Sequence, residues 1–195
     1  MVKYLCSCLL LTLLVSFAPA FGDTNVLKNP GFENGTEEWS DRSCKIEVVT
    51  TPVHSGAKSA KVSGRTETWQ GIKQSLLGKV TNGQTYKISA WVRLENSDSD
   101  TVTISIEQTD DNGTQYKNVA KVTAGKTEWV ELSGEFKLDA SGTLQTLDVY
   151  FEGPAPDTNF FVDDVVVSGP DATKVEQADP NAPKTEPNDA RKNAK

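Results

Sequence analysis

The sequence predicts an all-β domain built as an antiparallel β-sandwich. Apolar and polar residues alternate through several short segments, and a period of two is that of a strand with one buried face. Turn residues separate these segments, and the sequence contains no amphipathic helix of useful length. Many short strands joined by regular turns are typical of sandwich folds.

The expected elements follow one another at short intervals. Strand character is present in four segments: Ser59–Ser63, Tyr86–Leu94, Thr101–Ile106 and Leu147–Glu152. Glycine-containing turns lie between or after them: Asn82–Gly83, Asp111–Gly113, Ala124–Gly125 and Ser141–Gly142. In the last strand, a core position for Val149 and Phe151 places Tyr150 and Glu152 side by side on the other face. A tyrosine beside a carboxylate can contact a sugar ring and its hydroxyls, although an ordinary solvated strand face has the same pattern.

The chain divides into a leader, one domain and a tail. Residues 1–22 combine Lys3, an apolar run and small residues suited to cleavage, so we expect a signal peptide and a secreted, soluble protein. The apolar run is shorter than the about 20 residues that a membrane-spanning helix needs. Residues 23–169 have the length of a single domain, and residues 170–195, rich in proline, alanine and charges, are expected to be a disordered tail or linker.

Charge and the rarest residues exclude several functions. The net charge is −7 without a basic patch, which argues against binding to nucleic acid or to anionic membranes. Beyond the leader only Cys44 remains, so we expect no internal disulfide and no structural zinc; Cys44 is interpreted as a small buried residue or an intermolecular partner. His54 is the only histidine and lies in a turn, which argues against a histidine-based catalytic site.

Trp69 is the most informative single residue. It lies in a polar stretch, Ser63–Gly71, between a strand and the turn-rich Gly78–Gln84. An indole in such a stretch either caps the core or offers a flat surface to a ligand that has both an apolar face and hydroxyls. A sugar polymer is a ligand of that kind.

The order of motifs resembles carbohydrate-binding module family 22, a jelly-roll module attached to many xylanases. The resemblance covers Asn25–Ser168, and part of it is shared with families 4 and 9. It is carried by these segments: NPGFENGTEEW, HSGAKSAKVSGRTETWQG, GQTYKISAWVRL, EWVELSGEF, LDVYFEG and FFVDDVVV.

The resemblance implies a non-catalytic module that binds xylan, and in some members mixed-linkage β-glucan, in an open groove on one sheet. The implied binding residues are Arg42, Trp69, Tyr116, Tyr150 and Glu152. Aromatic faces would pack on the C–H groups of the sugar rings, and the polar groups would bind the hydroxyls. Trp91 and Arg93 share a face of another strand and are interpreted as structural, on a face that could be the interior of the second sheet.

The resemblance also implies a structural calcium ion. Calcium prefers hard oxygen ligands. The matching groups are the carboxylates of Glu33 and Asp163, with a backbone carbonyl near Lys58 and with Asp164 as the alternative to Asp163.

Two other functions remain open at this stage. A small jelly-roll glycoside hydrolase or lyase would need two carboxylates flanking a cleft, and only Glu152 stands out. An envelope or adhesion protein could use the same fold to bind another glycan or a protein. We expect a monomer that binds polysaccharide and works as a module of, or alongside, a xylanase.

Overall fold

The computed structural model describes residues 24–170, and its regular structure consists of ten β-strands. The predicted signal peptide and nearly all of the predicted tail lie outside the described residues. The strands are β1 Ser40–Arg42, β2 Lys45–Val49, β3 Ser59–Ser63, β4 Gly71–Ser75, β5 Thr85–Leu94, β6 Asp100–Asp110, β7 Gly113–Ala124, β8 Val130–Lys137, β9 Thr146–Glu152 and β10 Phe160–Ser168.

Two five-stranded antiparallel sheets face each other. The first sheet has the order β1-β4-β9-β6-β7, and the second has the order β2-β3-β10-β5-β8. Every strand pair is antiparallel, and most neighbours in a sheet are distant in sequence. The predicted antiparallel sandwich of the jelly-roll type is therefore confirmed.

The core lies between the sheets and is built by the alternation visible in the sequence. Val149 and Phe151 of β9 are fully buried, as are Ile104 of β6 and Val92 of β5. Since successive side chains of a strand point to opposite faces, the intervening residues of β9 and β6 line the outer face of the first sheet. That outer face carries the candidate site.

A β-bulge shapes the edge of the first sheet. Ile104 pairs with Ala120 while Ser105 pairs with Asn118, so Val119 has no direct partner. Such an extra residue increases the local twist and bends the strand. The edge strand β7 therefore changes direction next to Asn118.

The interpretation of Trp91 and Arg93 needs one correction. Both lie on β5, whose alternate residues Ala90 and Val92 fill the core. Trp91 and Arg93 thus occupy the outer face of the second sheet and not its interior. The candidate site lies on the first sheet, so both residues are outside it, as expected.

Residues 24–170 contain no helix of the length and apolar character needed to cross a membrane.

Candidate functional site

The antiparallel register brings four of the five predicted binding residues onto strands of the outer face of the first sheet. Tyr150 of β9 pairs with Ser105 of β6, and Glu107 of β6 pairs with Tyr116 of β7. Directly paired residues of neighbouring strands point to the same side of a sheet. Arg42 and Glu152 complete the strand residues of this set, and the loop before β4 adds Trp69.

Arg42 lies at the centre of the site. Its guanidinium carbon is 4.3 Å from the ring centre of Tyr150, 5.2 Å from that of Trp69 and 5.4 Å from that of Tyr116. All three distances lie within the range of a cation–π interaction. Arg42 Nη1 donates to the backbone oxygen of Trp69 over 2.6 Å, and Nη2 lies 3.4 Å from Glu107 Oε2. One side chain thereby connects three rings and fixes the loop that carries Trp69.

Trp69 and Tyr116 are the exposed rings of the site. Trp69 is 44% exposed and Tyr116 is 59% exposed. Together with Arg42, Asn118, Tyr150 and Glu152 they line a cavity of about 440 Å³ that is open to solvent. Large rings left in water beside polar groups are typical of a surface that binds a ligand.

The loop that presents Trp69 is organised by a buried arginine. Arg65 is 1% exposed, and its guanidinium donates to six backbone carbonyl oxygens, among them those of Gln70 at 2.9 Å and Pro154 at 2.6 Å. The Gln70 side-chain oxygen accepts from the backbone N–H of Thr66 over 2.6 Å. These bonds hold both ends of the loop, so the Trp69 ring projects from a fixed backbone.

Gly71 allows that loop to approach β9. A Cβ atom at this position would lie 1.8 Å from the backbone oxygen of Phe151. Only glycine fits there, because the obstructing atom belongs to backbone that cannot move without breaking the sheet. The close approach sets the Trp69 loop beside Glu152.

Glu152 is half-buried at the end of β9. Ser105 Oγ donates to Glu152 Oε1 over 2.6 Å. Burial raises the pKa of the Glu152 carboxyl above its usual value, although the Ser105 hydrogen bond and the charge of Arg42 act in the opposite direction. The carboxylate lines the groove, so a sugar hydroxyl could donate to it.

Tyr150 differs from the prediction in one respect. It lies on the outward face, as expected, but it is only 2% exposed because the guanidinium of Arg42 covers its ring. Burial is the main reason that its pKa is raised to about 12, with the nearby Glu152 charge adding to the effect. Tyr150 is thus the floor of the groove and not a free platform.

The carboxylates of the predicted calcium site accept hydrogen bonds from one loop, residues 54–58. Glu33 Oε1 accepts from the backbone N–H groups of Ala57 at 2.8 Å and Lys58 at 3.1 Å, and Asp163 Oδ2 accepts from that of His54 at 2.9 Å. The Lys58 ammonium donates to the backbone oxygen of Glu33 over 2.7 Å.

These contacts fit part of a calcium site. Asp163 is fully buried, and this burial raises the pKa of its carboxyl, so a bound cation would be favourable there. Among residues 24–170 no group of three histidine, cysteine, aspartate or glutamate side chains could hold a metal. A calcium ion would therefore need backbone carbonyls and water as its other ligands, and the site remains a prediction.

His54 and Cys44 pack against other parts of the fold. The His54 ring stacks on Trp91 with 3.9 Å between ring centres, and its Nδ1 lies 2.6 Å from Asp164 Oδ2. Cys44 is partly buried against the core, and its Sγ lies 3.1 Å from the backbone oxygen of Gly71. Neither residue lines the groove.

Three residues that hold or line the groove were not predicted from the sequence: Ser105, Glu107 and Asn118. Ser105 and Glu107 alternate with the core residues Ile104 and Ile106, so the same period-two pattern that placed Glu152 outward could have placed them. Asn118 lies just before the bulge, which the pattern does not reveal.

The family comparison agrees with this geometry. Residues 24–159 match the model of the family described as Carbohydrate binding domain. Among curated proteins, the chain is similar to Exoglucanase XynX of Acetivibrio thermocellus, with 37% identity over 157 residues, covering 76% of this chain and 14% of that protein. It is also similar to Endo-1,4-beta-xylanase A of Thermoanaerobacterium saccharolyticum, with 38% identity over 153 residues, covering 75% of this chain and 13% of that protein. The chain thus spans only about a seventh of the length of these relatives.

Solved structures give the same result for the fold. The CBM22-1 xylan-binding domain of Paenibacillus barcinonensis Xyn10C has a TM-score of 0.68 and 28% identity, covering 75% of this chain and 94% of that domain. Its CBM22-2 domain has a TM-score of 0.66 and 27% identity, covering 72% of this chain and 98% of that domain. The resemblance to family 22 read from the motifs is confirmed. The chain belongs to the Carbohydrate binding domain family.

Proposed function

We propose that this chain is a non-catalytic module that binds the main chain of xylan. The observation that carries the proposal is the groove in which the exposed rings of Trp69 and Tyr116 lie 5.2 and 5.4 Å from the Arg42 guanidinium carbon. Glu152 and Asn118 line the same groove.

The groove offers the two kinds of contact that a neutral polysaccharide needs. Sugar rings present C–H groups that pack on aromatic faces, which Trp69 and Tyr116 supply. Ring hydroxyls need directional partners, which the Glu152 carboxylate and the Asn118 amide supply. Because each such contact is modest, we expect dissociation constants from micromolar to sub-millimolar, which is about −5 to −8 kcal/mol.

The relatives support xylan as the ligand. Two of the similar solved structures are described as xylan-binding domains, and several curated relatives are endo-1,4-β-xylanases. This chain covers only 13–14% of those enzymes, which leaves room for a separate catalytic region in each of them. We therefore propose that the module acts as part of, or alongside, a xylanase and is secreted with it.

The carboxylates of the groove support a binding role over a hydrolytic one. Glycosidases use two carboxyl groups about 5–9.5 Å apart across the scissile bond. Glu107 is four residues along β6 from Thr103, the partner of Glu152, so about 13 Å of strand separates the two positions. Glu107 pairs with Arg42, and Asp148 pairs with Lys73 over 2.7 Å.

Affinity electrophoresis through gels containing xylan, β-glucan, hydroxyethyl-cellulose or mannan tests the proposal. We expect retardation by xylan, with β-glucan as the second ligand. Release of reducing sugar from xylan, absent in a Glu152→Ala control, would instead identify a glycosidase. Migration unaffected by all four polysaccharides would favour an envelope or adhesion protein that binds another glycan.

A further inference from the structure

The groove continues beyond Glu152 into a second lobe of about 400 Å³. This lobe shares Asn118 and Glu152 with the aromatic part of the groove. Its lining consists of hydroxyls, an amide, a carboxylate and an ammonium group, from Thr68, Thr101, Thr103, Asn118, Lys121, Glu152 and Gly153. Its volume lies in the range of sites for small ligands, and its chemistry differs from that of the aromatic part.

The strand register explains how the lobe is built. Thr103 of β6 pairs with Glu152 of β9 on one side and with Lys121 of β7 on the other. The three residues thus form one row across the floor of the lobe. Neighbouring strands are about 4.8 Å apart, so the backbones of Glu152 and Lys121 are about 10 Å apart. The anionic and cationic groups therefore lie at opposite ends of the lobe.

Lys121 differs from the other cations of this sheet face. Arg42 pairs with Glu107, and Lys73 pairs with Asp148. Lys121 is exposed, and it has no ion pair or hydrogen bond from its ammonium group to any of residues 24–170. A lysine ammonium is a compact point charge suited to an anion. In a chain of net charge −7, an uncompensated cation in a groove is a local exception.

We infer that the second lobe binds a uronic acid carried as a side branch on the polysaccharide. The inference rests on the proposed function, because the main chain would lie on Trp69 and Tyr116 while the branch enters past Asn118. The branch carboxylate would pair with Lys121, and its hydroxyls would bind Thr101 and Thr103. The lobe thus adds selectivity for acid-substituted xylan to a groove that binds the neutral main chain.

Isothermal titration with three oligosaccharides tests this inference. They are neutral xylohexaose, a xylo-oligosaccharide that bears one glucuronic acid branch, and the same branched compound after reduction of its carboxyl to an alcohol. For the unaltered protein at low salt, we expect the acidic compound to bind about two- to five-fold more tightly than the reduced one, the range of an exposed ion pair. The ratio should approach one in 0.5 M salt, where exposed charges are screened.

Two variants with the same change of net charge complete the design. Lys121→Gln should bind the acidic and reduced compounds equally. Lys137→Gln, an exposed position on β8 of the other sheet, should keep the original ratio. Equal binding of both compounds by the unaltered protein, or a ratio retained in Lys121→Gln, would overturn the inference while xylohexaose binding upholds the proposed function. Failure to bind any of the three compounds would overturn both.

Discussion

Replacing Trp69 with alanine should remove xylan binding at a modest cost in stability. Full truncation of a buried tryptophan costs about 3–5 kcal/mol. Because Trp69 is 44% exposed, only slightly more than half of its surface is buried, and its truncation should lower the free energy of unfolding by about 2 kcal/mol. At about 2–4 °C per kcal/mol for a chain of this size, the melting temperature should fall by about 4–8 °C.

The expected loss of binding is much larger than this loss of stability. A central aromatic residue of a binding surface contributes about 2 kcal/mol or more, which corresponds to about a 30-fold weaker affinity. Arg42 should stay in place in the variant, because its 2.6 Å hydrogen bond goes to the backbone oxygen of Trp69, which alanine retains. The remaining polar contacts should therefore be intact but too weak to hold the chain.

The assay is a melting curve beside a xylo-oligosaccharide titration, with Leu77→Ala as the matched control. Leu77 is also 44% exposed but does not line the groove. We expect Leu77→Ala to lower the melting temperature slightly and to leave the affinity unchanged. A fall of more than about 10 °C for Trp69→Ala, with affinity preserved in the protein that remains folded, would refute the groove as described.

Three further outcomes are expected. Glu152→Gln should weaken xylan binding about tenfold while keeping or raising the melting temperature at pH 7, because the raised pKa means that the buried charge opposes folding. In the unaltered protein, protonation of Glu152 as the pH falls through that raised pKa should remove its own unfavourable contribution to folding but weaken binding, and titrations that show no loss of affinity down to pH 4.5 would contradict this role. Arg65→Met should lower the free energy of unfolding by about 3 kcal/mol, since several buried carbonyl oxygens lose a charged donor; a thermal melt no different from that of Arg93→Met, whose guanidinium makes an exposed hydrogen bond, would refute it. Excess calcium should raise the melting temperature relative to chelator, and Asp163→Asn should abolish the difference; equal midpoints in the unaltered protein would remove the calcium prediction.

The sequence was sufficient to predict four of the ten strands, β3, β5, β6 and β9, because burial of one face of a strand produces a regular alternation. Val149 and Phe151 alternate with Tyr150 and Glu152, and the structure buries the first pair and directs the second pair outward. The pattern says nothing about how far an outward residue is covered. Tyr150 is nearly fully buried because Arg42 reaches it from β1, a strand distant in sequence.

The burial of Arg65 could not be predicted from the polar segment in which it lies. An arginine among threonines and a glutamate resembles a solvated loop, yet it is among the most buried side chains of the domain. Its partners include backbone oxygens of residues 154–158, about ninety positions away. Contacts of this kind depend on the tertiary fold and leave no local pattern.

The contacts of Arg42 have a consequence for the thermodynamics of binding. Its guanidinium is already immobilised between the Tyr150 ring, the Trp69 backbone oxygen and Glu107. A long side chain that is ordered in advance loses little rotamer entropy when the ligand arrives, and such ordering otherwise costs about 0.5–1.5 kcal/mol per side chain. The entropic cost of association should then fall mainly on the polysaccharide, so stiffer and less branched oligosaccharides of equal contact area should bind with a smaller entropy loss.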